Sequence, residues 1–163
     1  MLIRSLGILK KEFKFSNFEA VFIGEGYKEK YFKFIDQNYI KENIRFAGQL
    51  DRKEVIQNII SSDISVLTSV KEGKTRALIE SLLLEKPLFA TNVVGTNEVI
   101  IDNENGYMVE LNDDYNFAKS IYKLLTNKEF YDKFSVNAKE YSIKEFNEDL
   151  VIDRIKDVYL MDF

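Results

Sequence analysis

The chain has 163 residues, with 23 Lys and Arg against 27 Asp and Glu, a single Pro, and neither Cys, His nor Trp. Without cysteine there is no disulfide framework and no thiolate metal site; without histidine, imidazole catalysis and the commonest transition-metal ligand are gone. A net charge of −4 gives no global attraction to nucleic acid or anionic lipid. No apolar run exceeds five residues, where a bilayer crossing takes about 20, and the opening MLIRSLGILKKEF is broken by Arg4 and lysines, so it reads as no secretory signal. With 45% hydrophobic and 31% charged residues, the composition is that of one folded domain, expected in the cytoplasm. Its chemistry must rest on carboxylates, hydroxyls, Lys, Arg and backbone groups.

Met1 to Arg4 reads as the inside of a helix, with Lys10, Lys11 and Lys14 as a solvated helix face. Ala20 to Ile23 is a buried strand ending at Gly24-Glu25-Gly26. Lys28 to Asn38 reads as a helix with Tyr31, Phe32, Phe34 and Ile35 toward the core. Ile44 to Ala47 is a second strand, stopped at Gly48. A helix comes next, with Asp51 as N-cap and Glu54 three residues on, a capping-box pattern. Ile64 to Leu67 is a third strand, Arg76 to Leu84 a helix, Leu88 to Thr91 a fourth strand after Pro87, and Tyr107 to Val109 a fifth after the Asn105-Gly106 turn. Helices over Asp114 to Leu125, Glu129 to Tyr141 and Lys144 to Leu160 close the chain. Strands separated by helices predict an α/β fold, a parallel sheet covered on both faces.

Ligands of such sheets bind beyond the carboxyl ends of the strands, here at 24–26, 48–50, 68–75 and 91–96. Glu72 lies in the loop after the third strand, where Gly73 allows a ligand close to the backbone. Thr75 reads as the N-cap of the next helix, whose free N–H groups suit a phosphate or diphosphate. Glu80 stands in that helix among Ala77, Leu78, Ile79 and the run Ser81 to Leu84. A carboxylate in such surroundings is costly unless it is hydrogen-bonded. Two readings stay open on this segment alone: Glu80 accepts the paired hydroxyls of a ribose, or it faces solvent or a lysine. Gly24 to Gly26 lacks the third glycine of the dinucleotide fingerprint and reads more simply as a strand-to-helix turn. Gly95, in Val94 to Glu98, either admits a ligand or punctuates a loop. No Asp-x-Asp pair is present to hold a divalent ion on a diphosphate, so no metal ligands are assigned, and Asp113-Asp114 reads as a helix start.

In their order and spacing, FIGEG (22–26), IRFAGQL (44–50), SSDISVLTS (61–69), EGKTRALIESLLLEKPLFAT (72–91), VGTNEVI (94–100) and ENGYMV (104–109) resemble the donor-binding half of GT-B-fold glycosyltransferases of the large retaining group 1 family. The resemblance runs from about Ile3 to Tyr159. It implies a Rossmann-like parallel sheet with helices on both faces, the C-terminal half of a GT-B fold, in a single domain over 1–163. It also implies transfer of a sugar with retention from a UDP- or GDP-linked donor to an acceptor hydroxyl, without an obligatory metal, in polysaccharide or glycoconjugate synthesis. Glu72 would be the catalytic residue, contacting hydroxyls of the donor sugar. Gly73, Lys74 and Thr75 would offer backbone N–H groups to sugar or phosphate, and Glu80 would grip the ribose. Leu50, in the 48–50 loop, would border the base, Gly24 and Gly26 would floor the diphosphate region, and Gly95 would stand in the sugar-side loop.

The departures carry expectations of their own. Lys74-Thr75 stands where many members have Phe-Gly. Glu85 replaces the glycine usual before Lys-Pro, which suggests a different helix end. Val94 replaces the first of two glycines, which alters access to the donor. The strand that begins this domain in the family, with the Arg and Lys that hold the diphosphate, has no counterpart here, nor has the acceptor domain. The family's second and fourth strands are expected to close up directly, or another chain fills the place. An acceptor domain or partner chain would complete the enzyme, whose full form allows peripheral membrane association, and the chain alone is expected to be inactive. The alternative is a non-catalytic subunit that binds a nucleotide-sugar or serves interaction. A receiver-like phosphorylation domain fits poorly, because Ser69 stands where its aspartate should be.

Overall fold

Among the residues that the computed structural model describes (1–26, 28–73 and 76–146), the apolar runs form the strands β1 (Ala20–Ile23), β2 (Ile44–Gly48), β3 (Ser65–Leu67), β4 (Leu88–Thr91) and β5 (Gly106–Val109). The helices are α1 (Leu2–Lys11), α2 (Glu29–Gln37), α3 (Arg52–Ser61), α4 (Arg76–Leu83), α5 (Asp114–Leu125) and α6 (Lys128–Phe146). β1 pairs with β2 in parallel, and β3, β4 and β5 pair in parallel in that order. The run Leu88-Phe89-Ala90-Thr91 is buried along its whole length, as a strand covered on both faces must be. Its alternating side chains divide two cores. Phe89 packs with Ile3, Leu6, Leu9, Phe117 and Phe134 on one face, whereas Leu88 and Ala90 pack with Leu78, Leu82, Val99 and Ala138 on the other.

No ladder joins β1 to β3 among the described residues. Between them lies an opening of about 1000 Å³, lined by Leu6, Leu9 and Leu124 from the face of α1 and α5 and by Leu78 from that of α4. The expected direct closure of the flanking strands does not form among the described residues, and α1 docks on both strand groups. At its start, Arg4 Nε donates to Asp114 Oδ2 at 2.5 Å and Nη2 to Oδ1 at 3.3 Å, a two-pronged bond to the first residue of α5. At its end, Lys10 Nζ donates to the Tyr39 carbonyl at 2.7 Å and to Asn43 Oδ1 at 3.1 Å, and it pairs with Glu42. Lys11 Nζ reaches the Gln37 carbonyl at 3.1 Å. One helix is thus fastened to both strand groups. The expectation of a solvated face is corrected for Lys10, which is half-buried and ties α1 to the segment after α2; Lys11 is exposed as expected, though it too reaches a carbonyl. The hydrogen bond from Lys10 also holds the Glu42 carboxyl below the usual carboxylate range.

Other differences have local causes. On α2, Ile35 is buried but Tyr31, Phe32 and Phe34 are exposed, because a two-stranded ribbon covers only a narrow stripe of a helix. α4 is not buried all round either, since Leu78, Ser81 and Leu82 face inward while Leu83 is exposed. The two helices expected over 129–141 and from Lys144 onward are one, α6, because no Gly or Pro interrupts the segment. The remainder of the latter expectation, 147–160, lies outside the described residues. At the end of α4, Glu85 takes the left-handed conformation itself, with φ 61°, and Lys86 N–H returns to the Ser81 carbonyl at 3.0 Å.

α1 meets α2 closely at Gly7, where a Cβ would lie 2.2 Å from Asn38 Oδ1 and 2.7 Å from Asn38 Cβ. Asn38 is not free to swing away, because its Nδ2 donates to the Phe34 carbonyl at 2.7 Å. In Gly7→Ala, overpacking of about 1–3 kcal/mol is expected to outweigh the roughly 1 kcal/mol gained in helix propensity. Urea denaturation should therefore register a net loss of stability; a gain would mean the two helices are not in tight contact. For the seam itself, amide hydrogen exchange should be faster in β1 and β3 than in β4, which is paired on both sides. Equal protection of all three strands would mean that the seam is closed in solution.

Candidate functional site

Within each strand group the carboxyl ends share one edge, and the predicted residues gather there in two clusters. The first joins the loops after β1 and β2 to α4. Gly24 N–H donates to the Gly48 carbonyl at 2.8 Å, which sets the turn holding the exposed Gly24 and Gly26 beside the 48–50 loop. That loop leads into α3 through the predicted capping box: Glu54 N–H donates to Asp51 Oδ1 at 2.8 Å, and Asp51 N–H to Glu54 Oε2 at 2.9 Å. The cap fixes the first turn of α3 behind the half-buried Leu50 and sends Arg52 toward α4. Arg52 Nη2 approaches Glu80 Oε1 at 3.5 Å, with the Arg52 side chain 78% exposed and that of Glu80 only 17%. Glu80, in the second turn of α4, is thus a largely covered carboxylate with one marginal contact to a solvated guanidinium.

The second cluster surrounds Glu72. Ser69 Oγ donates to Glu72 Oε1 within the loop after β3. Thr91, fully buried at the end of β4, donates its hydroxyl to the Ser69 carbonyl at 2.5 Å. Thr96, equally buried, donates to the Thr91 carbonyl at 2.7 Å and accepts from Val93 N–H at 3.2 Å. Gly95 is buried against this loop: with φ +95°, a Cβ there would lie 2.5 Å from the Gly73 carbonyl oxygen and 2.7 Å from that of Glu72. The loops after β3 and β4 are therefore one docked unit, and the close approach that Gly95 permits is that of the neighbouring backbone. Lys74 and Thr75, and with them the predicted N-cap of α4, lie outside the described residues. Among the described residues no three His, Cys, Asp or Glu side chains gather to hold a metal ion, and no helix is long and apolar enough to cross a membrane.

The profile of a family described as "Glycosyl transferases group 1" matches residues 1–141. The chain belongs to that family. It is 29% identical over 160 residues to the putative glycosyltransferase EpsD of Bacillus subtilis (strain 168), covering 97% of this chain and 40% of that protein. In fold it is similar to HepE of Anabaena, solved in complex with UDP-glucose, at a TM-score of 0.85 and 18% identity over 98% of this chain and 44% of that one. The C-terminal domain of LpcC, a glycosyl transferase group 1 family protein from Francisella tularensis, superposes at a TM-score of 0.78 and 24% identity, over 90% of this chain and 78% of that one. The α/β arrangement is that of the C-terminal domain of GT-B glycosyltransferases, and curated relatives of the chain include glycosyltransferases of polysaccharide synthesis. The chain spans less than half the length of EpsD, at 40%.

For a member of this group 1 family, the sequence reading missed Arg52, Ser69, Thr91 and Thr96. A signal existed for three of them: Ser69 stands three residues before Glu72, Arg52 directly succeeds a capped helix start at the crevice, and Thr91 ends a strand that is otherwise wholly apolar. Val94 is exposed beside the buried Gly95, so the substituted glycine position projects a side chain at the crevice edge. Thr91→Val keeps the shape but leaves the Ser69 carbonyl without its donor, which should cost about 1–2 kcal/mol in urea denaturation. An unchanged midpoint would mean the two loops are held together by other means.

Proposed function

We propose that this chain is the donor-nucleotide domain of a retaining glycosyltransferase, which moves a sugar from a UDP- or GDP-linked donor to an acceptor hydroxyl in polysaccharide or glycoconjugate synthesis. The observation that carries this reading is the setting of Glu80. A vicinal diol brings two O–H donors to one carboxylate, and a bond from a largely exposed arginine at 3.5 Å is of the weak kind that such a ligand displaces. The UDP-glucose bound by HepE, a relative in fold, supports a nucleotide-sugar as the ligand class. In this reading Glu72 accepts hydroxyls of the donor sugar, while the backbone of Gly73, Lys74 and Thr75 serves sugar or phosphate. Leu50 borders the base, and Gly24 and Gly26 floor the diphosphate.

The reaction breaks the anomeric C–O bond, whose electron pair leaves with the nucleoside diphosphate. The acceptor oxygen bonds to the same carbon on the face the diphosphate leaves, which is what retention requires, and its proton passes to the departing diphosphate oxygen. Free N–H groups in the first turn of α4 stabilise the departing charge, so no metal is needed in this scheme. The acceptor is presented by an acceptor domain or partner chain, and the isolated chain binds donor without completing transfer. A sequence without cysteine suits the reducing cytoplasm as its place of work.

Calorimetric titration of the chain with UDP tests the central residue. Glu80→Ala should weaken binding by about 1–3 kcal/mol through the lost hydroxyl partners. Equal affinities for wild type and variant would remove Glu80 from the site.

A further inference from the structure

We propose that Ser69 is a positioning residue for Glu72, holding its carboxylate ready for a hydroxyl of the donor sugar; this rests on the reading of Glu72 given above. Three observations carry it. The Ser69 hydroxyl donates to Glu72 Oε1, and both residues are half-buried in the loop after β3. Ser69 is itself pinned from behind, because its carbonyl accepts from the buried Thr91 hydroxyl at 2.5 Å. Retreat of the loop is blocked by Gly95, whose Cα packs so closely on the carbonyls of Glu72 and Gly73 that a Cβ would meet them at 2.7 and 2.5 Å.

The bond engages one oxygen of the carboxylate. Among the described residues Oε2 accepts from no other group, and in this proposal it is the oxygen that receives the incoming O–H. A glutamate in a solvated loop would otherwise sample several rotamers, and a ligand would have to select one. Fixing it beforehand removes that ordering cost from the binding step, which is how a group that never touches the ligand raises affinity for it. The effect is confined to the part of the ligand that Glu72 meets. Ser69 should therefore act on the sugar and not on the nucleotide.

The experiment compares UDP with UDP-glucose, UDP-galactose and UDP-N-acetylglucosamine by calorimetry on the wild-type chain and on Ser69→Ala and Ser69→Thr. The wild type should bind at least one of the three sugars more tightly than UDP alone. In Ser69→Ala that advantage should fall by about 3- to 10-fold, the equivalent of one ordinary hydrogen bond, with UDP affinity unchanged. Ser69→Thr, which keeps the hydroxyl, should restore it. Should circular dichroism find Ser69→Ala unfolded, Ser69→Cys takes its place, keeping the volume with a much weaker donor. Equal weakening of UDP and sugar donors would assign Ser69 a merely structural role and overturn the proposal. No change in either, or a wild type that binds UDP with no advantage for any sugar, would overturn it as well. A wild type that binds neither UDP nor GDP would instead sink the donor-domain reading on which the proposal stands.

Discussion

The relative placement of the two strand groups depends on one helix docking on both. No backbone ladder joins β1 to β3 among the described residues, so side-chain packing across α1 must do what sheet hydrogen bonds do elsewhere. Burying Ile3, Leu6 and Leu9 is worth roughly 1.5–3 kcal/mol each. The Arg4–Asp114 pair, with its guanidinium side chain 43% exposed, belongs to the class worth up to about 1 kcal/mol. The apolar stripe therefore supplies the docking energy, while Arg4 at one end and Lys10 and Lys11 at the other fix where along the groove α1 sits. The crevice inherits this arrangement. Gly24, Gly26 and Leu50 belong to one strand group and Glu72 and Glu80 to the other, so under the donor-domain reading a ligand spanning them meets a geometry set on the helical face, away from the site.

Two glutamates in this crevice are held in opposite ways. Glu72 is locked: its serine partner is anchored by a buried threonine, and the next loop is pressed against its backbone. Glu80 is covered by the fold but loosely engaged, since Arg52 approaches at the limit of hydrogen-bond distance from a solvated side chain. Covering a carboxylate raises the cost of leaving it unpaired, and a weak partner does not offset that cost. A group in that condition gains most from a ligand that brings its own donors. Under the donor-domain reading, then, the locked carboxylate suits a sugar whose orientation decides the chemistry, and the loosely held one suits binding energy from the nucleotide.

Much of the fold was legible because its signals are local. β1 and β4 fall on the predicted residues, since short apolar runs bounded by Gly, Pro or Asn leave few alternatives. The Asp51–Glu54 capping box formed as its spacing requires, because both partners lie within one turn. The failures were non-local. The aromatic residues of α2 have the period of a buried face, but burial needs a surface to meet, and the β1–β2 ribbon offers little. Lys10 looks like solvent-facing charge in any one-dimensional reading; only the fold brings the Tyr39 carbonyl and Asn43 within its reach. The same holds at the site. The Glu-x7-Glu spacing is visible in the sequence, whereas the hydroxyls that fix Glu72 come from two segments, Ser69 after β3 and Thr91 and Thr96 at and after the end of β4.

Glu85 reveals how far those constraints extend. The family resemblance leads one to expect glycine here, and the backbone keeps the left-handed turn a glycine would favour, at a cost of about 1–2 kcal/mol for a residue with a Cβ. α6 supplies the compensation: Ser135 Oγ donates to the Glu85 carbonyl at 2.8 Å, and Lys139 Nζ to its carboxylate at 2.5 Å. Each such bond is worth about 1 kcal/mol or less at this exposure, so together they roughly balance the strain. The turn matters because it delivers the chain through Pro87 into β4. That strand ends at Thr91, whose hydroxyl holds Ser69 and through it Glu72. α6 thus helps to set the path of the strand that positions one of the candidate carboxylates.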